Sequence, residues 1–194
     1  FFSKIKINKK IFKNSNNFFD KNFKKKSAIG IHLRGTDQKI TPGHHLPPTV
    51  YDLQILIDSI IKEKKNFKFF LVTEQKKYYE FLTKKYGKFI CTYPSFRADK
   101  VSDFNVNNRK NHRNRLAVES LTEALILSKC NKLIYCKSNI PLFSIFISKN
   151  KIQKVLLDNG INSKNPMYVF FKWYLTILPT SFLKYIYYKI FINR

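Results

Sequence analysis

IGIHLRGTDQ, residues 29–38, is the stretch on which the reading of this chain turns. Its first half is branched and uncharged, with His32 as the polar exception, the pattern of a buried strand. Arg34-Gly35-Thr36-Asp37 follows without a break, at the carboxyl end of that strand. In an open α/β sheet that edge is where ligands bind. A guanidinium there is a fixed cation with a planar fork of donors suited to a phosphate. Gly35 admits a ligand or another backbone at close range. Thr36 and Asp37 can hydrogen-bond the turn or hold Arg34 in place. The same residues also describe a plain strand end with a surface arginine, so the neighbouring segments decide between the two.

Outward from a strand at 27–33, the chain alternates. Residues 49–64 place Leu53, Leu56, Ile57, Ile60 and Ile61 at three- and four-residue steps, which predicts a helix. Residues 67–72 form an apolar run, a buried strand. Residues 75–86 read as a helix closed by Gly87 as its C-terminal cap. A short strand at 88–92, a long polar loop at 93–113, a helix at 114–129, a strand at 132–136, a helix at 140–148 and a last strand at 154–157 complete the series. Strand–helix alternation with continuous apolar strands predicts an α/β fold: a Rossmann-like parallel sheet covered on both faces. The expected division is a tail of a preceding domain or a linker at 1–26, the sheet domain at 27–160, and an amphipathic basic helical segment at 161–194. The long loops, 38–48 and 93–113, both follow strand ends on one edge, and long loops in compact domains are often functional. No Gly-x-Gly-x-x-Gly follows the first strand and no Walker A sequence occurs, so neither common nucleotide fingerprint is supported.

The 194 residues suit one ordinary domain, or one full domain plus an appendage. The chain opens on Phe1 and is read as a piece of a longer protein. Lys+Arg number 37 against 12 Asp+Glu, a net charge of +25, which points to an anionic partner such as nucleic acid, a membrane or a small ligand. The lysines are spread over the whole chain together with Asn, Ile, Phe and Tyr, as an A/T-rich coding sequence would also produce. That spread makes a nucleic-acid surface the weaker reading. Cys91, Cys130 and Cys136 form no Cys-x-x-Cys pair; Cys91 and Cys136, in apolar strand-like runs, read as core thiols of a reducing compartment. With His32, His44, His45 and His112 they make no zinc spacing. The uncharged run 173–183 is too short to span a bilayer, but with its flanking lysines it could lie at a membrane interface or pack on protein.

Three stretches stand out together: IGIHLRGTDQ at 29–38, FFLVTEQ at 69–75, and LTEALILSKCNKLIYCKSNIP at 121–141. Their order and spacing resemble the three motifs of GDP-fucose-dependent fucosyltransferases, above all the α-1,6-fucosyltransferases and their bacterial nodulation relatives. The family's first motif, His-x-Arg-Arg-Thr-Asp, corresponds to His32-Leu33-Arg34-Gly35-Thr36-Asp37. Its second ends a strand with Thr-Asp-(Asp/Glu), here Thr73-Glu74. Its third is an acidic helix residue, then Leu-Ser, a strand and a Ser-Ser-like turn, here Glu123, Leu127-Ser128 and Ser138-Asn139. The likeness covers about residues 29–148.

The resemblance implies a GT-B glycosyltransferase of two Rossmann-like domains, with this chain as the C-terminal, nucleotide-binding half. It implies GDP-fucose as donor, a glycan or lipid-linked sugar as acceptor, and a cytoplasmic place with peripheral contact at the inner membrane face. It carries donor-binding roles to His32, Arg34, Gly35, Thr73, Glu74, Glu123, Ser138 and Asn139. Arg34 would bind the diphosphate and stabilise charge on departing GDP. Ser138 and Asn139 would offer donors at a helix amino terminus, or Ser138 would simply cap the helix. Glu123 would accept from the ring N–H and amino group of guanine.

An inverting transfer needs a base for the acceptor hydroxyl. The glutamate that looks like that base in the α-1,6 enzymes falls on Pro42 here. His44, His45 and Asp37 are the candidates in its place. The family's second arginine is Gly35 in this chain. No Asp-x-Asp occurs, so no metal or other cofactor is expected, and Arg34 would neutralise the diphosphate instead. An inactive half-enzyme that still binds GDP, and a basic nucleic-acid-binding domain, are the alternatives.

Overall fold

The computed structural model describes residues 6–35, 37–105, 109–149 and 151–177. Strands β1 (Ser27–Leu33), β2 (Phe67–Thr73), β3 (Ile90–Cys91), β4 (Lys132–Tyr135) and β5 (Gln153–Leu156) form one sheet in the order β3-β2-β1-β4-β5. Every pairing is parallel. β1 is central: it pairs with β2 from Ser27↔Phe67 to Leu33↔Thr73, and with β4 from Ile29↔Lys132 to His32↔Tyr135. The chain runs outward from β1 to β2 and β3, then crosses to the far side of β1 as β4. Strand order reverses there, and the crevice between the carboxyl ends of β1 and β4 is where this architecture accepts ligands.

Alternation along the strands divides the core. Ile29, Ile31 and Leu33, with Phe67, Phe69 and Leu71, pack against α2 (Val50–Glu63) and α3 (Lys76–Tyr86) through Leu53, Ile57, Ile60, Tyr78 and Leu82. Ala28, Phe70, Val72 and Leu133 face the opposite layer. That layer contains α1 (Lys9–Phe23), α4 (His112–Leu127) and α5 (Asn139–Ile147). Burial on both faces is why the strands read as continuous apolar runs. Helix α2 starts where its periodicity begins because Thr49 and Asp52 form a reciprocal capping box. Cys136 is buried and Cys91 half-buried at the edge of the core; burial pushes Cys91 up to about 12 and Cys136 up to about 11.

Three expectations differ from the structure. Residues 1–26, aperiodic to the eye, contain α1, whose Phe18 meets Phe70 at 5.6 Å and Tyr93 at 5.4 Å. Its buried positions include Ser15 as well as Phe23, so a search for aliphatic spacing misses it. Gly87 is right-handed at φ −50° and leads into a 3-10 turn, Gly87–Phe89, rather than a left-handed cap. The loop expected at 93–113 contains a further 3-10 turn, Val101–Phe104, and gives up its last residues to α4. After β5, α6 (Pro166–Ile177) buries Val169 and Trp173 and exposes Met167, Tyr168, Phe171, Tyr174 and Leu175. Residues 178–194 lie outside the described residues. Among the described residues no helix is long and apolar enough to cross a membrane.

Gly30 shows how tightly α4 sits on the sheet. A Cβ there would lie 2.8 Å from Leu127 Cδ2 and 2.9 Å from Leu133 Cδ1. Gly30→Val should therefore overpack the layer and destabilise the fold by about 1–3 kcal/mol, read as a lower urea midpoint at unchanged slope.

Candidate functional site

Two connected cavities open at the β1/β4 switch point. The outer cleft, about 280 Å³, is lined by His32, Arg34, Asp37, Glu74, Phe104, Ser138 and Ile140. The inner one, about 60 Å³, shares His32, Glu74, Phe104 and Ile140 and adds Thr73, Ser95, Phe96, Glu119 and Glu123. Three of these residues stand just past strand ends: Arg34 directly follows β1, Glu74 directly follows β2, and Ser138 lies just past β4. Parallel pairing thus brings segments distant in sequence to one edge.

Arg34 is held rather than extended into solvent. Its Nε donates to Asp37 Oδ1 at 3.0 Å and its Nη2 to Asp37 Oδ2 at 2.6 Å. This fork-to-fork pair leaves the Nη1 protons and one Nη2 proton unused by Asp37. The bonds to Asp37 raise the arginine's pKa further. Burial alone would raise the Asp37 carboxyl, but Arg34 holds it below the usual range. The backbone around the pair is clipped as well. Gly35 N–H donates to Glu74 Oε1 at 2.8 Å, and Gln38 Nε2 donates to the Lys137 carbonyl at 2.9 Å. Gly35 does permit a close approach, but to protein: a Cβ would lie 2.5 Å from Gln75 Oε1 and 3.0 Å from Tyr78 Cε2. A second arginine at this position would displace α3 side chains. Thr36 lies outside the described residues.

His32 is buried beneath this pair, with Nδ1 4.0 Å from Cys136 Sγ. Burial first, and Arg34 second, push its pKa down to about 3. It is a neutral imidazole at physiological pH, so Arg34 carries the fixed charge at this point of the cleft. Thr73 Oγ1 accepts from the Gln75 N–H at 3.2 Å, which commits it to the turn before α3. Ser138 occupies the N-cap position of α5 in extended conformation, yet its side chain makes no capping bond. Its hydroxyl and the first turn of α5, with exposed Asn139 at its start, sit at the cleft mouth. A helix amino terminus favours negative charge there.

Glu123 lines the inner cavity with its side chain 8% exposed, facing Arg97, itself 9% exposed, at 3.8 Å. Its Oε1 has no hydrogen-bond partner. Burial pushes its pKa up to about 7 against the opposing pull of Ser95 and Arg97. Arg97 stacks 4.4 Å from the Tyr79 ring centre and donates to the carbonyls of Ser95 (2.7 Å) and Tyr93 (3.1 Å). One turn earlier on α4, Glu119 accepts from Phe96 N–H at 3.0 Å and pairs with Arg109 at 2.6 Å. Two carboxylates on one helix face thus pin the loop that carries Phe96 and Phe104 over the cleft. Sequence reasoning missed Arg97, Glu119, Phe96 and Phe104. The four-residue spacing of Glu119 and Glu123, opposite a loop with two arginines, was the available signal.

His44 and His45 do not enter this cleft. They line a third cavity of about 310 Å³ on the other flank of Arg34, with Ser138, Asn139 and Lys137. Arg34 and Ser138 are common walls of both. Among the described residues no three His, Cys, Asp or Glu side chains gather as a metal-ligand group. A larger cavity, about 620 Å³, lies at the opposite edge of the sheet between α1 and the ends of α4 and α5. It is lined by Phe12, Leu125 and Ile147 with Lys129 and Lys149. It holds none of the clustered strand-end chemistry.

Fold and site together define a Rossmann-like α/β unit with an arginine-clamped cleft at its switch point. No family model matches the chain, and no curated protein matches it. Solved structures do. NodZ α-1,6-fucosyltransferase co-crystallised with GDP, and NodZ soaked with GDP-fucose, each align at a TM-score of 0.54 and 16% identity, over 74% of this chain and 43% of theirs. NodZ from Bradyrhizobium aligns at a TM-score of 0.47 and 15% identity, over 75% of this chain and 43% of that one. The chain therefore spans less than half the length of these structures, and at this identity the likeness is one of fold.

The buried glutamate makes stability depend on pH. With a folded pKa of about 7 against an ordinary 4.5, the folded chain keeps a proton that the unfolded chain has released between those values. Stability should fall as pH rises from about 4.5 to 7, by up to about 3 kcal/mol. Urea unfolding at pH 5 and pH 8 should show this slope, and Glu123→Gln should flatten it.

Proposed function

We propose that this chain is the donor-binding half of an inverting, GT-B-type glycosyltransferase that moves fucose from GDP-fucose to a glycan or lipid-linked hydroxyl. The observation that carries the reading is Arg34. It is locked by Asp37 at the switch point of a fold shared with structures co-crystallised with GDP and soaked with GDP-fucose. Arg34 and the open amino terminus of α5 hold the diphosphate. Charge grows on the leaving oxygens as the sugar departs, so donors already aimed there stabilise the transition state more than the ground state. The reaction is read as metal-independent, with this cation and helix terminus in the metal's place. Neutral His32 and the Glu74 carboxylate border the nucleotide, and Phe96 and Phe104 supply apolar walls for its base. Glu123 accepts from the guanine ring N–H and amino group with its unbonded Oε1, a pattern adenine cannot supply. Asp37, committed to Arg34, positions the clamp. The general base then lies with the histidines beyond it.

An inactive GDP-binding half remains the nearest alternative, and turnover separates the two. Peripheral membrane contact belongs to the same proposal: the exposed Met167, Tyr168, Phe171, Tyr174 and Leu175 of α6 have the composition of an interfacial helix face.

Calorimetry on the intact parent protein tests the reading. GDP and GDP-fucose should bind, and ADP should bind at least about tenfold more weakly. Arg34→Ala should weaken GDP by roughly 10- to 100-fold, the worth of one charge-assisted bond, and abolish turnover. Because guanine needs the ionised carboxylate, GDP affinity should drop as pH falls below about 7 and should lose that dependence in Glu123→Gln. An intact protein with no affinity for GDP would sink the reading.

A further inference from the structure

The third cavity contains an arrangement that the donor site does not use. His45 Nδ1 lies 3.6 Å from Asp158 Oδ1. That nitrogen is buried and has no hydrogen-bond partner. Asp158 is itself fixed from two sides: Lys137 Nζ stands 3.1 Å from Oδ2, and the Gly160 N–H donates to Oδ1 at 3.0 Å. Gly160 adopts φ +80°, a left-handed turn that suits glycine, which aims its amide back at the carboxylate. The histidine's loop is stitched to the same segment. Leu46 N–H donates to the Gly160 carbonyl at 2.9 Å, Asn162 N–H to the His44 carbonyl at 2.7 Å, and Gly43 N–H to the Ser163 carbonyl at 3.0 Å. Asn159 Nδ2 donates to the Pro47 carbonyl at 3.2 Å. Histidine and carboxylate come from segments more than a hundred residues apart, and they are held by backbone on both sides.

Resting on the transferase reading above, we propose that His45 is the general base for the acceptor hydroxyl and that Asp158 is its positioning residue. A carboxylate facing Nδ1 selects the tautomer with the proton on that nitrogen, which leaves Nε2 as the acceptor. It also stabilises the imidazolium that forms during the step. Asp158 stays ionised because Lys137 and the Gly160 amide hold its pKa below the usual carboxylate range. The cavity adjoins the nucleotide cleft, with Arg34 and Ser138 as common walls, so a base in it can face a sugar carbon whose diphosphate is held in the cleft, the two-sided arrangement that inversion requires. His45 Nε2 takes the acceptor proton as the acceptor oxygen bonds to the anomeric carbon. The bond from that carbon to the diphosphate oxygen breaks, its electron pair leaves with GDP, and His45 later returns the proton to water. The charged groups around His45 are Asp158, Lys137 behind it, Arg34 across the cavity and Lys164 beyond Gly43. His44 has an exposed side chain and offers only its carbonyl to this framework.

The test uses the intact parent protein, with GDP affinity by calorimetry and GDP release from GDP-fucose as a function of pH. His45→Asn should keep GDP affinity within about twofold and lose about 10²–10³-fold in turnover, the usual contribution of a general base. His44→Gln should lose at least tenfold less. Asp158→Asn should reduce turnover with GDP affinity kept within about twofold, because the imidazolium loses its counter-charge. The His45 ring nitrogen signals, followed by NMR, should show the proton on Nδ1 in the unsubstituted protein and lose that preference in Asp158→Asn. This second reading needs no turnover and decides the matter if His45→Asn does not fold. GDP bound normally with full turnover in His45→Asn, or an unchanged His45 tautomer in Asp158→Asn, overturns the base and its partner alone. No GDP binding by the unsubstituted protein overturns the transferase reading and this inference with it.

Discussion

Everything in this domain hangs on a central strand that is hydrogen-bonded to parallel neighbours on both edges and covered by helices on both faces. Residues 28–33 are all buried. Their backbone must be satisfied by β2 and β4 and their side chains by two separate helical layers. That double constraint leaves little freedom at the strand's end, and the residue delivered there is Arg34. Gly30 marks how closely the α4 layer approaches, since even a methyl group would meet Leu127 and Leu133.

The electrostatics of the cleft follow from where burial is compensated and where it is not. Arg34 is paired so directly that the pair acts as one fixed dipole with its outer donors available. His32, directly beneath, has no such partner and stays neutral. Glu123 is the intermediate case: it faces Arg97 at charge-contact distance but without a hydrogen bond, and desolvation dominates. A carboxyl poised near neutrality in a cleft is a functional signal when it also has a geometric reason to be there. Here the reason is the loop that Glu119 and Glu123 hold against α4.

Much of the fold was legible because each element obeys one period. The strands at 27–33 and 67–73 and the helix at 50–63 are buried in patterns that side-chain spacing records directly, and Thr49 marks its helix start by chemistry. Helix α1 was hidden because aromatic and small polar residues fill its buried face. Gly87 was misread because a helix can run on into a 3-10 turn through a right-handed glycine as easily as it can stop at a left-handed one. The glycine in the first motif was read as room for a ligand, and the room is taken by Gln75 and Tyr78.

By itself, the sequence determined the order of strands and helices from β1 to β5, the edge on which the polar turns collect, and the presence there of Arg34, Glu74 and Ser138. These follow from periodicities of a few residues and from motifs a dozen residues long. Tertiary structure alone decided the pairings: Arg97 with Glu123, Arg109 with Glu119, and His45 with Asp158 behind Lys137. Each has at least one member on a loop with no period of its own, and His45 and Asp158 meet only because Gly160 turns the chain after β5 back beneath the loop that follows β1. Contacts of that kind depend on where the sheet places its ends, and no local spacing encodes them.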